Sequence, residues 1–307
     1  MSTQNANTIL MIEPIAFGYN KETALNNHFQ QKDKTNASSI QALAYQEFVE
    51  MTRLLRAKGI HVISIKDTAE PRTPDSIFPN NWVSFHKGER IALYPMFAKS
   101  RRLERRTDIL YTINKMGFNF SEIANYVGYE QENHFLEGTG SMILDRENML
   151  AYAAISQRTD KTVFQRFCTD FNYQPVIFSA FQTVRKQRFP IYHTNVLMSV
   201  ADKYALVCLD TIADTTERQM IESTLRHTGK EIVEISMEQM LHFCGNMLQV
   251  QNQENTPFLV MSKSAHDSLD ESQIETLKSY NELIVIPVPT IEKYGGGSVR
   301  CMMGEIF

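Results

Sequence analysis

The chain of 307 residues reads as one α/β domain, residues 1–307, built from repeated units of two strands, a helix and a further strand. Three observations predict this. Apolar runs and helical stretches return in the same order four to five times, roughly 50 to 60 residues apart. No linker or low-complexity stretch separates them. With 43% hydrophobic and 21% charged residues, the chain has the balance of an ordinary globular protein able to bury a core.

The elements follow in order. Thr8-Ile-Leu-Met-Ile12, closed by Glu13-Pro14, reads as a buried strand. A helix is expected from about Ile40 to Lys58, where Leu43, Ala44, Phe48, Met51 and Leu55 recur at helical spacing and Gly59 stands just past the end. Ile60 to Ile65 is the next strand. Trp82 to His86 and Ile91 to Tyr94 read as a hairpin turning at Lys87-Gly88-Glu89. Arg101 to Met116 reads as one helix whose four arginines, Arg101, Arg102, Arg105 and Arg106, suit a solvated face. Ser141 to Asp145 and Met149 to Tyr152 form a second hairpin before a helix near Thr159 to Asn172. The order returns with Asn195 to Val200, Tyr204 to Leu209 and a helix over Thr215 to His227. It returns more weakly with Met247 to Val250, Phe258 to Met261, a helix over Glu271 to Tyr280, and strands at Leu283 to Val288 and Val299 to Met302.

A net charge of −4 gives no footprint for nucleic acid or an anionic membrane. No apolar run approaches the roughly 20 residues of a membrane helix. The start, Met1 to Thr8, lacks the apolar core of a signal peptide. Cys168, Cys208, Cys244 and Cys301 lie far apart without a C-x-x-C pair, which suggests neither a metal site nor a disulfide framework. A cytoplasmic protein with reduced thiols is expected. The oligomeric state, a homodimer included, stays open.

Chemistry concentrates at element ends. Gly295-Gly-Gly297 allows a close backbone approach, and Ser298 to Met302, read as a short strand, presents Cys301 after it. A lone thiol there suits a nucleophile, although a free Cys is also a common core residue. Leu136-Glu137-Gly138-Thr139-Gly140 sets an acid before a glycine pair. His193 and Asn195 stand two apart, and Asp75-Ser-Ile-Phe-Pro-Asn80-Asn81-Trp82 gathers Asp75, Asn80 and Asn81 beside the single Trp. Cys244-Gly245-Asn246 is a fourth polar junction, with Asn246 read as a turn residue. Nucleophile, base and carboxylate together are what covalent catalysis needs.

These motifs resemble the guanidine-modifying superfamily of arginine deiminases, agmatine deiminases, dimethylarginine dimethylaminohydrolases and amidinotransferases. Within it they are most similar to the citrulline utilization hydrolase group, and the similarity spans nearly the whole chain. The resemblance implies a five-bladed α/β propeller (pentein) with a central active site and no metal or organic cofactor. It implies Cys301 as nucleophile, His193 as general acid and base, and Glu137 as the group orienting His193. Asp75, Asn80, Asn81, Asn195 and Arg101 fall at substrate-binding positions, Arg101 as the ligand of the substrate carboxylate, with Arg102 next to it.

Guanidinium-binding members carry acids where Asn81 and Asn195 stand here. Asn can both accept and donate, which suits a neutral ureido group better than a cation stripped of water. The expected activity is hydrolysis of citrulline to ornithine, ammonia and carbon dioxide, with Arg300 or a protonated His193 activating the thiol. Backbone N–H groups of Gly295 to Gly297 are expected to receive developing negative charge. An arginine deiminase or amidinotransferase on a cationic substrate is the first alternative. A non-catalytic binding protein on the same fold is the second.

Overall fold

In a computed structural model, which describes residues 4–307, the repeat is explicit. Met1 to Thr3, part of the polar start on which the expected location rests, lie outside the described residues. Five three-stranded sheets occur among the described residues, each with one antiparallel and one parallel pairing. The second sheet joins Val83–His86 and Arg90–Leu93 as a hairpin, then adds Glu122–Asn125 in parallel. The third joins Ile143–Asp145, Leu150–Ala154 and Gln174–Phe178 in the same way. The fourth uses Met198–Val200, Tyr204–Val207 and Glu231–Glu234, and the fifth Leu248–Gln251, Pro257–Ser262 and Glu282–Ile286.

The first sheet differs in where its strands come from. Thr8–Glu13 pairs in parallel with His61–Lys66, but its antiparallel partner is Gly304–Ile306 from the far end of the sequence. One repeated unit is therefore split between the two ends of the sequence. This is why the repeat count from the sequence wavered between four and five. It also corrects the expected strand at Ser298 to Met302: Val299 to Met302 form a tight turn, with Cys301 N–H donating to Ser298 O at 3.0 Å and Met302 N–H to Val299 O at 3.2 Å. The strand begins only at Gly304.

Core clusters bridge neighbouring sheets. Leu10, Ile63 and Phe85 belong to a cluster shared by the first and second, Ala92 and Tyr152's neighbour Ala151 to one shared by the second and third. A larger cluster runs through the third, fourth and fifth, and the last carries Val260 and Ile286 of the fifth back to Ile9 and Met11 of the first. The first helix spans Ala37–Ala57, starting three residues before the expected Ile40, because Asn36 caps it by accepting from Ser39 N–H at 2.8 Å. A hairpin of Phe181–Val184 and Gln187–Pro190, not foreseen, stands outside the five sheets.

The expected helix from Arg101 to Met116 is two pieces, Lys99–Arg102 and Thr107–Lys115. The break follows from the arginines, which do not form a solvated face. Arg101 is buried against Glu104, Arg105 pairs with Glu130 at 2.6 Å, and Arg106 spans Asp67 and Asp108. Satisfying these directions turns the chain at Leu103 to Arg106 and leaves Leu103 exposed.

Candidate active site

Three short segments just before inner strands bring the chemistry together. Glu137 precedes a single helical turn, Gly138–Ser141, rather than sitting on a strand. His193 is extended and precedes the turn Thr194–Val196, so it is not on a continuous strand with Asn195. Cys301 lies in the turn before Gly304. All three side chains are buried.

Glu137 Oε2 accepts from His193 Nε2 at 2.8 Å, and its Oε1 accepts from Phe97 N–H at 2.9 Å. Burial alone would raise this carboxyl, but Arg158, His193 and Arg101 outweigh it and hold Glu137 well below the usual carboxylate range. An ionised acceptor fixes the proton of His193 on Nε2 and leaves Nδ1 as a free lone pair. Burial pushes His193 down to about 4, against the opposing pull of Glu137, so the imidazole is neutral near pH 7. Gly140 makes this arrangement fit. A Cβ there would lie 2.4 Å from Asn81 Nδ2 and 2.8 Å from His193 Nδ1.

Two amides converge on the thiol. Asn195 Nδ2 is 3.4 Å and Asn246 Nδ2 3.3 Å from Cys301 Sγ, and Asn246 also donates to Asn195 O at 3.0 Å. Asn246 is thus a neighbour of the nucleophile and not merely a turn residue. Its position after Gly245, at the same place in its unit as Asn195 and Asn81 in theirs, was the available signal. Arg300 does not serve the thiol: its Nη2 pairs with Glu305 at 2.8 Å and its Nη1 donates to Met303 O. The glycine turn also departs from expectation. Gly296 N–H is used by Glu292 O at 2.9 Å, and the turn presents carbonyls instead, at φ +62° for Gly296.

Those carbonyls are held by a segment running from Asn20 to Gln31. Asn27 Nδ2 donates to Gly296 O at 3.1 Å, Gln30 Nε2 to Gly295 O at 3.0 Å, and Tyr192 Oη to Gly296 O at 2.7 Å. The same segment reaches Asp75, whose Oδ2 accepts from Asn20 at 2.8 Å and Thr23 at 3.2 Å. Asp75 Oδ1 has no partner, and burial raises this carboxyl although Arg101 pulls the other way. Arg158, which sequence reasoning missed, ties the segment to the catalytic acid. It donates to Thr23 O at 2.8 Å, to Asn26 and to Glu137 Oε2 at 3.3 Å. Only the partners, remote in sequence, reveal it.

Arg101 is more committed than a waiting carboxylate ligand. It grips Glu104 with Nε and Nη2 at 2.9 Å each and donates to Asn81 Oδ1 at 2.7 Å. Burial opposes its charge, but Glu104, Asp75 and Glu137 outweigh that and push its pKa further up. Arg102 points elsewhere, to Met96 O at 3.0 Å. Asn80 bonds Thr139 at 3.3 Å and does not line the cavity, whereas Asp75, Asn81, Arg101, His193 and Cys301 do, and Asn195 lies behind Cys301, outside the lining. That cavity holds about 10 Å³, room for roughly one water. Among the described residues no cluster of three or more His, Cys, Asp or Glu could hold a metal ion.

The family model described as N,N-dimethylarginine dimethylhydrolase, eukaryotic, matches residues 13–307. The chain belongs to this family. Dimethylarginine dimethylhydrolases are hydrolases of guanidino C–N bonds within the guanidine-modifying superfamily, so the enzyme class expected from the motifs holds. Solved structures agree on the α/β fold. The N-terminal domain of ArgZ, with a covalently bound reaction intermediate, is 17% identical over 98% of this chain and 97% of that one, at a TM-score of 0.72. Full-length ArgZ, described as an arginine dihydrolase of cyanobacteria, gives 0.73 at 17% identity over 97% of this chain, which spans 40% of ArgZ. A dimethylarginine dimethylaminohydrolase bound to a chloropyridine gives 0.65 at 14% identity, over 98% of this chain and the whole of that one. No curated protein matches by sequence.

Proposed function

We propose that this dimethylarginine dimethylhydrolase family member hydrolyses the ureido group of citrulline through a covalent Cys301 intermediate. One observation carries the reading. Arg101 can only donate, so the atom of Asn81 it meets must be the carbonyl oxygen, and Asn81 turns its N–H₂ away from Arg101 with no partner. Asn195, with its N–H₂ on Cys301, keeps an unpartnered carbonyl. The pair thus offers one free donor and one free acceptor. A ureido group supplies a C=O for the first and N–H for the second; a guanidinium, donor only, would leave the Asn81 amide unpaired at about 1–3 kcal/mol.

In the proposed sequence, Cys301 Sγ adds to the ureido carbon while neutral His193 Nδ1 takes the thiol proton. His193 returns that proton to the departing amine, leaving an S-carbamoyl enzyme, and Glu137 stabilises the imidazolium between the two steps. Water, deprotonated by His193, then attacks the thioester carbon and expels the thiolate. The carbamate released falls apart to carbon dioxide and an amine, so citrulline and one water give ornithine, ammonia and carbon dioxide. Asn195 and Asn246 hold the sulfur by its side, and the free oxygen of Asp75 meets the substrate ammonium. The five sheets are proposed to be the blades of a propeller around this site, supported by core clusters that link each sheet to the next and the fifth to the first.

A second reading, an arginine or methylated-arginine hydrolase, is favoured by charge. Three buried carboxyls, Asp75, Glu104 and Glu137, stand against Arg101 and Arg158, and burial raises Asp75 and Glu104, the latter to about 8, so an added cation would favour their ionised forms. The family name and the arginine dihydrolase among its structural neighbours point the same way. Incubating the enzyme with citrulline, arginine and dimethylarginine, and assaying ornithine, citrulline and ammonia, separates the two. Ornithine from citrulline supports the neutral-pocket reading. Turnover of the cations alone removes it and leaves the role of Cys301 standing.

A further inference from the structure

We propose that a second cavity, at the hairpin ends of the second and third sheets, binds a small oxyanion. It holds about 120 Å³ and shares no lining residue with the active site. Two guanidiniums face it. Arg90, at the start of a strand of the second sheet, lies with Cζ 4.3 Å over the Phe171 ring, and Arg146 with Cζ 4.1 Å over the Phe307 ring. Stacking on a ring fixes the plane of each fork and leaves its N–H edge as the part that can recognise a ligand.

The neighbouring charges leave these cations only partly compensated. Arg90 gives Nη2 to Glu122 Oε1 at 2.7 Å and to Asp170 O at 2.9 Å, and its buried Nε has no partner. Arg146, whose side chain is 8% exposed, meets its carboxylate, Glu305, only at 3.9 Å. Its hydrogen bonds go instead to neutral groups, His86 Nδ1 at 3.3 Å and the Tyr173 hydroxyl. A guanidinium only donates, so Nδ1 must accept and the His86 proton sits on Nε2, bonded to Ser84 Oγ at 2.7 Å. Burial, then Arg146 and Arg90, hold His86 well below its usual range, in keeping with a positive field in the cavity. Lys87, exposed at the rim, draws no ion pair among the described residues.

Two planar forks, a free ammonium and aromatic sides suit a carboxylate or a phosphate, which take paired N–H···O⁻ bonds. The volume admits inorganic phosphate or a short-chain carboxylate. An occupant would also touch the catalytic turn at one remove. Glu305, shared between Arg146 and Arg300, would be left to Arg300, the residue before Cys301.

The test is calorimetric titration of the purified enzyme with sodium phosphate and, separately, sodium acetate, at ionic strength held constant with chloride. The same titrations are run on Arg90→Gln and Lys87→Gln, with melting temperatures confirming that each variant is folded. Saturable binding of either anion to one site, weakened about tenfold or more in Arg90→Gln and less in Lys87→Gln, is expected. The anion that binds tighter names the source. No saturable binding of either, or equal affinity in wild type and both variants, overturns the proposal. If Arg90→Gln does not fold, unchanged affinity in exposed Lys87→Gln overturns it.

Discussion

On one side of the catalytic cavity, Glu137, Arg158, Arg101 and His193 hold one another through buried, charged contacts; on the other, Asn27 and Gln30 of the segment from Asn20 to Gln31 hold the glycine turn through amides on backbone carbonyls. Removing one partner from a buried charge pair costs about 3–5 kcal/mol, whereas a neutral hydrogen bond contributes about 1 kcal/mol. The two walls therefore differ in what yields first. A cavity of about 10 Å³ cannot take a citrulline molecule, so one wall must withdraw for substrate to enter, and the amide-held wall is the cheaper to move. Its tie through Arg158 to Thr23 and Asn26 links that movement to the catalytic acid.

Disabling the nucleophile and the histidine that the charged wall serves is expected to have the largest effect. Cys301→Ser should lower kcat by about a thousandfold or more with substrate still bound, read by steady-state assay and by calorimetric binding. Retained turnover would remove the thiol from the mechanism. Gly140→Ala forces a methyl group against Asn81 and His193, and about a 10- to 100-fold loss of kcat is expected with the melting temperature little changed. Next in size is the selectivity change. Asn81→Asp with Asn195→Asp should shift the ratio of kcat/KM toward arginine, and unchanged selectivity in a folded double variant would contradict the amide argument.

The amide wall should respond more gently. Asn27→Ala, which leaves Gly296 O to Tyr192 Oη alone, should alter kcat/KM by roughly tenfold or less, with the thermal midpoint nearly constant. A thousandfold loss there would show that this wall takes part in the chemistry. The smallest effects are those of pH. His193 must be neutral to accept a proton, so the acid limb of kcat/KM should fall toward about 4 and not 6.5. Buried Glu292, which accepts from Ser298 in the catalytic turn at 2.6 Å, is raised to about 7 by burial. The native state then holds a proton that the unfolded chain has lost, so this residue's contribution to stability falls as pH rises from about 4.5 to 7. His193 works in the opposite sense, its contribution being lost as pH falls from 6.5 toward about 4. Comparing the melting profile of Glu292→Gln with wild type isolates the first slope.

Glu137, His193 and Cys301 were legible in the sequence, whereas Arg158 and the amide wall were not, for a physical reason. Glu137, His193 and Cys301 each stand at a glycine-marked or polar junction before an inner strand, and local chemistry announces such junctions. Asn27 and Gln30 act on carbonyls of Gly295 and Gly296, and Arg158 acts on Asn26; nothing local signals partners so remote. The same distance effect explains the shifted C-terminal strand. Apolar Val299 to Met302 looks extended by composition, but the pairing of Gly304–Ile306 with Thr8 to Leu10 decides where the strand starts. The arginine cluster misled for the opposite reason. Its local pattern suggested a wet surface, and the nearby Glu104 together with the tertiary carboxylates Glu130 and Asp67 turned it inward.

The split first sheet bears on how the molecule comes to exist. A ribosome makes Thr8–Glu13 well before Gly304–Ile306, so one edge of that early strand stays open throughout synthesis of the other four sheets. An open edge invites pairing with other chains. The turn bearing Cys301 is settled by the same late pairing, so the catalytic cysteine takes its place only once the first strand has found Gly304–Ile306.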